Sequence, residues 1–396
     1  MHHAIPWIDL GDRRKVRVGV IGTGFAASSH LDALVRVPGV EVAGISGSTP
    51  DRGRQAAARL GVDRSYPDWR ALLDDDSIDA VHDCTPNHLH AQINAAALEA
   101  GKHVLSEKPL AMNGAESEQL VKLAASARGL SGVCFNYRHF PLVRHLRDTL
   151  AAGEAGPVHM VHGAYLQDWL LEPTDWNWRL ESEKAGASRA LADIGSHWLD
   201  LAQHATGDRV TEVFAELGTL HAERFRPAGE VETFARDPRQ ERRAVPIQSE
   251  DMGSLLLRFA GGTRGALTVS QVSAGWKNRL VLEVDAARAS FVWDQEDPNW
   301  LRIGRRDEAN AELPRDPSLL SPGASALAHF PGGHQEGWPD GLKNLFIEYY
   351  DAVRARAEGG SPEPSFASFA DAHRIIRVVE AALASHRSGQ WTKVEG

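Results

Sequence analysis

Cysteine is scarce in this chain of 396 residues, in which Cys84 and Cys134 are the only two. Both lie in apolar, strand-like stretches, which argues against a disulfide framework and favours a reducing compartment. Positive charge is also in deficit, because 43 Lys and Arg residues stand against 53 Asp and Glu residues, for a formal net charge of −10. That balance argues against nucleic acid or an anionic membrane as a partner and favours a small molecule.

Long apolar runs are missing as well. No stretch reaches the roughly 18 apolar residues that a membrane span requires. Residues 1–15 also lack the apolar core of a signal peptide. We therefore expect a cytoplasmic protein that begins with an N-terminal extension over residues 1–15.

The first third of the chain alternates short β-type runs with helix-type segments. Such alternation is typical of a doubly wound parallel sheet, so we predict a dinucleotide-binding Rossmann domain over residues 16–136. Its predicted strands are 16–21, 40–46, 80–83, 103–106 and 132–135, and its predicted helices are 27–37, 52–60, 69–74, 88–100 and 114–128.

After about residue 137 the apolar runs become longer, and Ala260-Gly261-Gly262 is a tight-hairpin signal. We therefore predict, over residues 137–396, a C-terminal α/β domain with a large, mostly antiparallel open sheet for substrate binding and oligomerisation. Two stretches, 221–249 and 305–340, are typical of loops. The predicted strands are 158–166, 210–220, 253–259, 263–272, 279–284 and 289–293, and the predicted helices are 142–152, 342–358 and 370–388.

The first predicted strand runs into a glycine-rich turn, Gly22-Thr23-Gly24-Phe25-Ala26-Ala27. In this G-x-G-x-x-A pattern the first glycine permits a tight turn, the second lets backbone approach a pyrophosphate, and the small third residue lets the helix pack closely. A dinucleotide cofactor is therefore the leading hypothesis, although similar turns occur in α/β proteins that bind nothing. The candidate contacts are Gly22, Gly24, Phe25 and Ala26.

The end of the second predicted strand distinguishes NAD from NADP. An acidic side chain there suits the ribose hydroxyls of NAD, but here Gly47 follows Ser46, and the residues beyond are Ser48, Thr49 and Arg52. We predict NADP, with NAD as the alternative, and Ser46, Ser48, Thr49 and Arg52 as contacts. The competing interpretation is an ordinary turn in which Ser48 or Thr49 only caps a helix.

Polar residues also follow the strands predicted at 80–83 and 103–106, at the edge where parallel sheets bind ligands. Lys108 precedes a proline there and is placed to stabilise an alkoxide, although an isolated lysine is more often a solvated surface charge. The histidines of the first stretch lack further ligands at metal-site spacing, so no metal is expected. The candidate cofactor contacts are Cys84, Thr85, Pro86, Asn87, His90, Glu107 and Lys108.

Asp193 and His197 lie four residues apart in the segment Asp193-Ile194-Gly195-Ser196-His197. In a helix beginning near Ile194 they share one face, so the carboxylate can orient the imidazole as a reversible proton acceptor. The pair is equally consistent with a helix cap and a packing histidine.

Four motifs occur in the order found in one family. Their combination resembles the Gfo/Idh/MocA family of sugar and polyol oxidoreductases, over about residues 16–391. The resemblance implies that Lys108, Asp193 and His197 are catalytic, that Asn136 contacts the cofactor, and that the open sheet forms the interface of a homodimer or homotetramer. The motifs are Gly22-x-Gly24-x-x-Ala27, Thr85-Pro86-Asn87-x-x-His90, Glu107-Lys108-Pro109 and Asp193-x-Gly195-x-His197-x-x-Asp200.

Within the family, two segments, Phe135-Asn136-Tyr137-Arg138 and Tyr165-Leu166-Gln167-Asp168-Trp169, are similar to the branch that contains levoglucosan dehydrogenase. Tryptophan faces stack on sugar rings, so the tryptophans at 169 and 176 are candidate pocket walls, with packing in a core or interface as the equal alternative. The candidate substrate contacts are Tyr137, Tyr165, Gln167, Asp168, Trp169, Trp176, Asp193 and His197.

These observations together predict a dehydrogenase that moves hydride between NAD(P) and a ring hydroxyl of a sugar, glycoside, anhydrosugar or cyclitol. One alternative is a glycoside hydrolase that oxidises its substrate transiently with bound NAD(P). A second, from another functional class, is a regulator that senses the dinucleotide without catalysis.

Overall fold

The computed structural model describes residues 15–229, 241–360 and 364–395. The chain divides into two compact units, of which the first comprises residues 1–139 and 338–373 and the second residues 140–337 and 374–396. The predicted extension over 1–15 lies, except for Lys15, outside the described residues. No helix of the described ranges combines the length and the apolar character needed to cross a membrane.

The strands are β1 (Val16–Ile21), β2 (Val40–Ser46), β3 (Ser65–Tyr66), β4 (Ala80–Asp83), β5 (His103–Ser106), β6 (Ser131–Val133), β7 (Val158–Leu166), β8 (Val210–Gly218), β9 (Glu223–Pro227), β10 (Arg242–Pro246), β11 (Met252–Phe259), β12 (Arg264–Ser270), β13 (Arg279–Ala286), β14 (Ser290–Asp294), β15 (Trp300–Gly304), β16 (Ala311–Pro314) and β17 (Thr392–Lys393). The α-helices are α1 (Phe25–Leu34), α2 (Pro50–Leu60), α3 (Trp69–Leu73), α4 (Asn87–Glu99), α5 (Gly114–Ser126), α6 (Pro141–Ala151), α7 (Ser182–Ala185), α8 (Ser196–Thr206), α9 (Pro322–Ser325), α10 (Trp338–Ala357) and α11 (Phe369–Ser388).

The first unit contains a six-stranded sheet in the order β3-β2-β1-β4-β5-β6. Every pairing in it is parallel, which confirms the predicted doubly wound sheet. The two-residue strand β3 was not predicted, because a strand this short has no alternation to detect. Parallel strands place their carboxyl ends at one edge, so the residues after β1, β2, β4 and β5 meet there.

The first unit also contains a segment from much later in the sequence, residues 338–373. Helix α10 buries Phe346, Tyr349 and Tyr350 completely in the core that also holds α1 and β1. The predicted domain boundary at residue 136 assigned these later residues to the second domain. Burial of large aromatic side chains, a property of the tertiary structure, brings the segment back.

The second unit contains a nine-stranded sheet in the order β16-β15-β14-β13-β7-β12-β11-β8-β17. Its pairs are antiparallel except for β7 with β12, which confirms the predicted, mostly antiparallel sheet. The predicted hairpin at Ala260-Gly261-Gly262 joins β11 to β12.

The two stretches predicted as loops contain strands and helices. Residues 221–249 contain the antiparallel pair β9 and β10, whose connection over 230–240 lies outside the described residues. Residues 305–340 contain β16, α9 and the start of α10. Strands such as β10 and β16 are short and polar, so they lack the apolar alternation on which the prediction depended.

Two glycines allow α8 and the turn before it to lie against the sheet. A Cβ at Gly163 would lie 2.8 Å from Nε1 of Trp198, whose indole donates a hydrogen bond to the Val281 carbonyl at 2.9 Å. A Cβ at Gly195 would lie 3.2 Å from Cγ1 of Val269. The glycine of the Asp193-x-Gly195-x-His197 motif therefore sets how closely this helix packs on β12.

Candidate dinucleotide and substrate sites

The glycine turn after β1 has the shape of an open cradle. Gly22 has φ +120°, and a Cβ there would lie 2.5 Å from the Cys84 carbonyl oxygen, so only glycine fits. At Gly24 a Cβ would meet nothing within 4 Å, and no side chain caps the start of α1. Ala27 is fully buried beneath the turn. Open space beside an uncapped helix N-terminus fits a pyrophosphate.

At the end of β2, the capping interpretation holds for Thr49, whose hydroxyl accepts a hydrogen bond from the Arg52 backbone N–H at 3.3 Å. The Arg52 guanidinium lies 3.5 Å from the Ser48 hydroxyl, and both side chains are exposed. A Cβ at Gly47 would lie 2.7 Å from the backbone nitrogen of Gly53. Close packing against Gly53 therefore explains why position 47 carries no acidic side chain. Ser48 and Arg52 remain exposed at the ligand edge.

The loop after β4 is fixed by hydrogen bonds of two buried side chains, those of Asp83 and His90. Asp83 accepts hydrogen bonds from the Thr85 backbone N–H at 3.1 Å and the Thr85 hydroxyl at 2.6 Å. Burial raises the pKa of Asp83, and it raises the pKa of the Cys84 thiol well above its usual value. His90 lies 2.7 Å from the Pro109 carbonyl oxygen and 2.8 Å from that of Thr85. His90 thus joins the two loops that follow β4 and β5.

The loop after β5 carries Glu107 and Lys108, both half-buried. The Lys108 backbone N–H donates to Glu107 Oε2 at 3.1 Å, and His30 Nε2 lies 3.0 Å from Glu107 Oε1. Sequence reasoning missed His30. Its only signal is its place on the buried face of α1, three residues after Ala27.

One group of donor atoms among the described residues lies within 4.8 Å of one another, those of His30, Glu107 and Cys134. The hydrogen bond between His30 and Glu107 accounts for this closeness. Burial, followed by the charge of Glu107, raises the pKa of the Cys134 thiol well above its usual value. A cysteine binds a metal ion as the thiolate, so a metal here would have to displace the proton of the Cys134 thiol.

Other predicted contacts of the first unit are buried near the ligand edge. Asn87 begins α4 directly after Pro86, its N-cap. Asn136 and Tyr137 lie in a short 3₁₀ helix, Asn136–His139, and are 3% exposed each. Such burial leaves little of either side chain open to solvent, so their roles as cofactor and substrate contacts stay predictions.

In the second unit, the parallel pair β7 and β12 brings two glutamines to one edge. Gln167 follows β7, Gln271 follows β12, and the Gln167 backbone N–H donates to the Ser270 carbonyl at 2.8 Å. Strand β13 runs antiparallel to β7, so Asn278, directly before it, reaches the same edge. This edge positions the predicted substrate residues of the unit.

Asp193 is held by two donors that the sequence did not suggest. Arg179 Nε donates to one carboxylate oxygen at 3.0 Å, and Gln271 Nε2 donates to the other at 3.0 Å. A charged guanidinium and a side-chain amide therefore fix the positions of both carboxylate oxygens. The predicted helix start near Ile194 is wrong, because Leu191–Gly195 forms a π-helical turn that continues into α8. Wider turns of this kind are frequent at functional sites.

A second hydrogen-bonded group surrounds Tyr165. The Tyr165 hydroxyl donates to Asn278 Oδ1 at 2.7 Å, Gln167 Nε2 donates to the same oxygen at 2.8 Å, and Trp169 Nε1 donates to Gln167 Oε1 at 2.8 Å. The rings of Tyr165 and His197 have centroids 6.3 Å apart. The structure thus brings Tyr165, Gln167 and His197 together, and it adds Asn278, which sequence reasoning missed.

The remaining substrate candidates of this unit have other partners. Asp168 pairs with Lys277 at 2.6 Å and accepts from the Gly275 backbone N–H at 3.0 Å, so it orders the loop before β13. Trp169 and Trp176 pack against a small core of Leu170, Leu180 and Ile247. The packing alternative therefore holds for part of each tryptophan surface.

Comparisons with known proteins agree with this description. A family model described as an oxidoreductase family with an NAD-binding Rossmann fold, GFO_IDH_MocA, matches residues 16–135. A model of the GFO/IDH/MocA C-terminal domain matches residues 143–292. Levoglucosan dehydrogenase of Pseudarthrobacter phenanthrenivorans is 31% identical over 96% of this chain and 98% of that protein.

Two solved structures of similar proteins contain NADH together with a sugar or a polyol. A levoglucosan dehydrogenase in complex with NADH and L-sorbose has a TM-score of 0.86 and 30% identity over 97% of this chain and 100% of that one. An inositol dehydrogenase homolog from Azotobacter vinelandii, in complex with NADH and myo-inositol, has a TM-score of 0.81 and 28% identity over 96% and 98% of the two chains.

Proposed function

The chain belongs to the Gfo/Idh/MocA family of oxidoreductases with an NAD-binding Rossmann fold, as the motifs indicated, and from this we propose the following activity. The protein moves hydride between NAD(P) and a ring hydroxyl, or the matching ketone, of a sugar, glycoside, anhydrosugar or cyclitol. The observation that supports this best is the Asp193 carboxyl group, which Arg179 and Gln271 hold in the turn leading into the helix of His197. The same unit carries the Tyr165 hydroxyl and the Gln167 amide, which suit a neutral polyol. The relatives named above are levoglucosan dehydrogenases and an inositol dehydrogenase homolog, which favours this activity over transient-redox hydrolysis or sensing.

In this reaction each of the three catalytic candidates has a role that follows from its side-chain chemistry. Bound nicotinamide supplies the hydride acceptor or donor. His197 takes the hydroxyl proton during oxidation and returns it during reduction. Lys108 stabilises the developing alkoxide with its positive charge, and Asp193 orients substrate or imidazole.

We propose NADP as the preferred dinucleotide, with the exposed Ser48 and Arg52 as partners of its 2′-phosphate. Guanidinium and hydroxyl groups suit a phosphate, and β2 ends without a carboxylate at Gly47. Since a side chain at Gly47 would collide with backbone, the test changes Arg52 instead. Arg52→Ala is expected to weaken NADP binding about tenfold while leaving NAD binding unchanged. Arg54→Ala, which removes an arginine paired with Asp51 on the same helix, is the control. A wild-type protein that prefers NAD tenfold or more would refute this proposal.

The activity itself is tested with a panel of sugars, anhydrosugars and cyclitols, monitored at the nicotinamide absorbance. Lys108→Ala is expected to lower turnover at least ~100-fold while cofactor affinity is kept. Lys122→Ala, at an exposed lysine paired with Glu118, should behave as wild type. Loss of cofactor affinity with an unchanged maximal rate would contradict the role given to Lys108.

We also propose a cytoplasmic location and a homodimer or homotetramer formed through the open sheet. The nine-stranded sheet exposes Leu256 and Met252 on β11, with relative exposures of 51% and 40%, which suits burial between subunits. Sedimentation of the purified protein decides the oligomeric state, and a monomer at micromolar concentration would contradict it.

A further inference from the structure

A line of four polar side chains runs from the ligand edge of the first unit into its core. His30 Nε2 lies 3.0 Å from Glu107 Oε1, His30 Nδ1 lies 2.8 Å from His82 Nδ1, and His82 Nε2 lies 2.7 Å from the Tyr350 hydroxyl. His30, His82 and Tyr350 are 0% exposed, whereas the Glu107 side chain keeps 18% of its exposure. These four residues, called the buried chain below, come from α1, β4, the loop after β5 and α10.

The protons of the buried chain can be placed by elimination. Two facing ring nitrogens need one proton between them, so the hydrogen bonds run either towards Glu107 or away from it. Burial is the largest cause that holds the pKa of His82 well below its usual value, so this ring is neutral. Burial raises the pKa of Tyr350 well above its usual value, so the phenol keeps its proton.

The surroundings of the Tyr350 hydroxyl then decide which of the two directions the hydrogen bonds take. Within the described ranges, His82 is the partner that its hydroxyl contacts. If the phenol accepted from His82, its own proton would be buried without an acceptor, which costs about 1–3 kcal/mol. Tyr350 therefore donates to His82 Nε2, His82 Nδ1–H donates to His30 Nδ1, and His30 Nε2–H donates to Glu107.

We infer that Tyr350, His82 and His30 are positioning residues that hold Glu107 as an ionised carboxylate beside Lys108. The inference rests on the proposed function, since it concerns the edge where the dinucleotide would bind. A fixed negative charge at that edge favours the cationic oxidised nicotinamide over the neutral reduced ring. The buried chain thereby tunes the relative affinity for the two cofactor forms.

Other groups also face the buried chain and set its surroundings. Glu107 is approached by Lys108 and by the thiols of Cys84 and Cys134, and it interacts with the carboxyl group of Asp83. Tyr350 is approached by Tyr349, Arg354 and Cys84, and the rings of His30 and His82 both contact Phe346 edge-on. None of these groups offers His82 Nε2 a hydrogen bond in the described structure, so Tyr350 is the residue to change.

The decisive variant is Tyr350→Phe, and its neighbour provides a matched control. Tyr349 is equally buried, and its hydroxyl donates to the Leu130 carbonyl at 3.0 Å, outside the buried chain. Without the Tyr350 hydroxyl the direction is no longer selected, and Glu107 accepts a proton more readily. The affinity for oxidised relative to reduced cofactor, measured at about pH 6 and about pH 8, is expected to fall about threefold or more. Tyr349→Phe should keep the wild-type ratio at both pH values.

The ring tautomers are measured without cofactor, by ¹⁵N NMR of histidine-labelled protein, with His30→Asn and His82→Asn to assign the signals. Wild type should show the Nδ1–H form at His82 and the Nε2–H form at His30, and Tyr350→Phe should lose this pattern while Tyr349→Phe keeps it. Opposite tautomers in wild type, or a Tyr350→Phe protein that matches wild type in tautomers and affinity ratio, would overturn the inference. A wild type that binds no dinucleotide would refute the proposed function instead, because the tautomers are read independently.

Discussion

The side-chain NH₂ group of Gln271 donates a hydrogen bond to the Asp193 carboxylate at 3.0 Å. A second residue, Arg189, determines which end of the Gln271 amide faces Asp193. Arg189 Nη1 donates to Gln271 Oε1 at 2.9 Å, so the NH₂ group must face Asp193. Arg189 is itself completely buried and pairs with Asp251. The orientation of a predicted catalytic carboxylate thus depends on residues far from it in sequence.

Gln271→Leu removes this donor while keeping the volume of the side chain similar. We expect turnover to fall about tenfold, because Asp193 loses one of the two groups that orient it, while cofactor affinity is unchanged. Gln203→Leu is the control, since among the described residues the Gln203 side chain bonds only to backbone groups of Leu199 and Val210. Equal turnover in the two variants would show that Gln271 does not position Asp193.

His197→Asn tests the proton-transfer role. For oxidation, kcat/KM should rise with pH through one ionisation in wild type, because the neutral imidazole accepts the proton. The variant should lose most turnover and this limb, and Asp193→Asn should move the limb to lower pH because a stabilising negative charge is gone. Thermal melting confirms that the variants are folded. An active His197→Asn protein with an unchanged limb would assign the role to Lys108.

Gly22 and Gly24 should respond in opposite ways to an added side chain. Gly24→Val places atoms in open space, so we expect an unchanged melting temperature and at least ~10-fold weaker cofactor binding. Gly22→Ala combines φ +120° with a 2.5 Å approach to backbone, and should destabilise the protein by about 1–3 kcal/mol. Calorimetric melting and cofactor titration of both variants measure this. A Gly24→Val protein with full affinity would show that no pyrophosphate approaches this turn.

His82 should make stability depend on pH. Its folded-state pKa lies well below the ordinary value, so the unfolded chain takes up a proton near pH ~6.5 that the folded protein does not. The contribution of His82 to the free energy of unfolding is therefore fully present above that pH and is lost as the pH falls below it. His82→Asn should reduce the slope of unfolding free energy against pH by up to about 1.4 kcal/mol per unit.

Urea unfolding between about pH 5 and 7.5 measures this slope. Burial also lowers the pKa of His103 and His145, but both remain in the variant, so their contributions cancel in the difference between the two proteins. Identical slopes would mean that His82 is charged in the folded state.

Much of the fold could be predicted from local patterns. The strands at 16–21, 40–46, 80–83, 103–106 and 158–166 have the predicted bounds, because apolar periodicity and turn glycines act between near neighbours in the chain. Predictions failed where that information is absent: at the two-residue β3, at the polar strands within 221–249, and at the π-helical turn before α8.

The sequence by itself determined the two halves of the fold, the glycine cradle and the order of motifs that places the chain in its family. Only the tertiary structure decided that residues 338–373 return to the first unit, that Arg179 and Gln271 hold Asp193, and that Tyr350 meets His82 across 268 residues of sequence. The reason is physical. Periodicity records whether a side chain is buried, whereas the partner of a buried polar group depends on which distant segment packs against it.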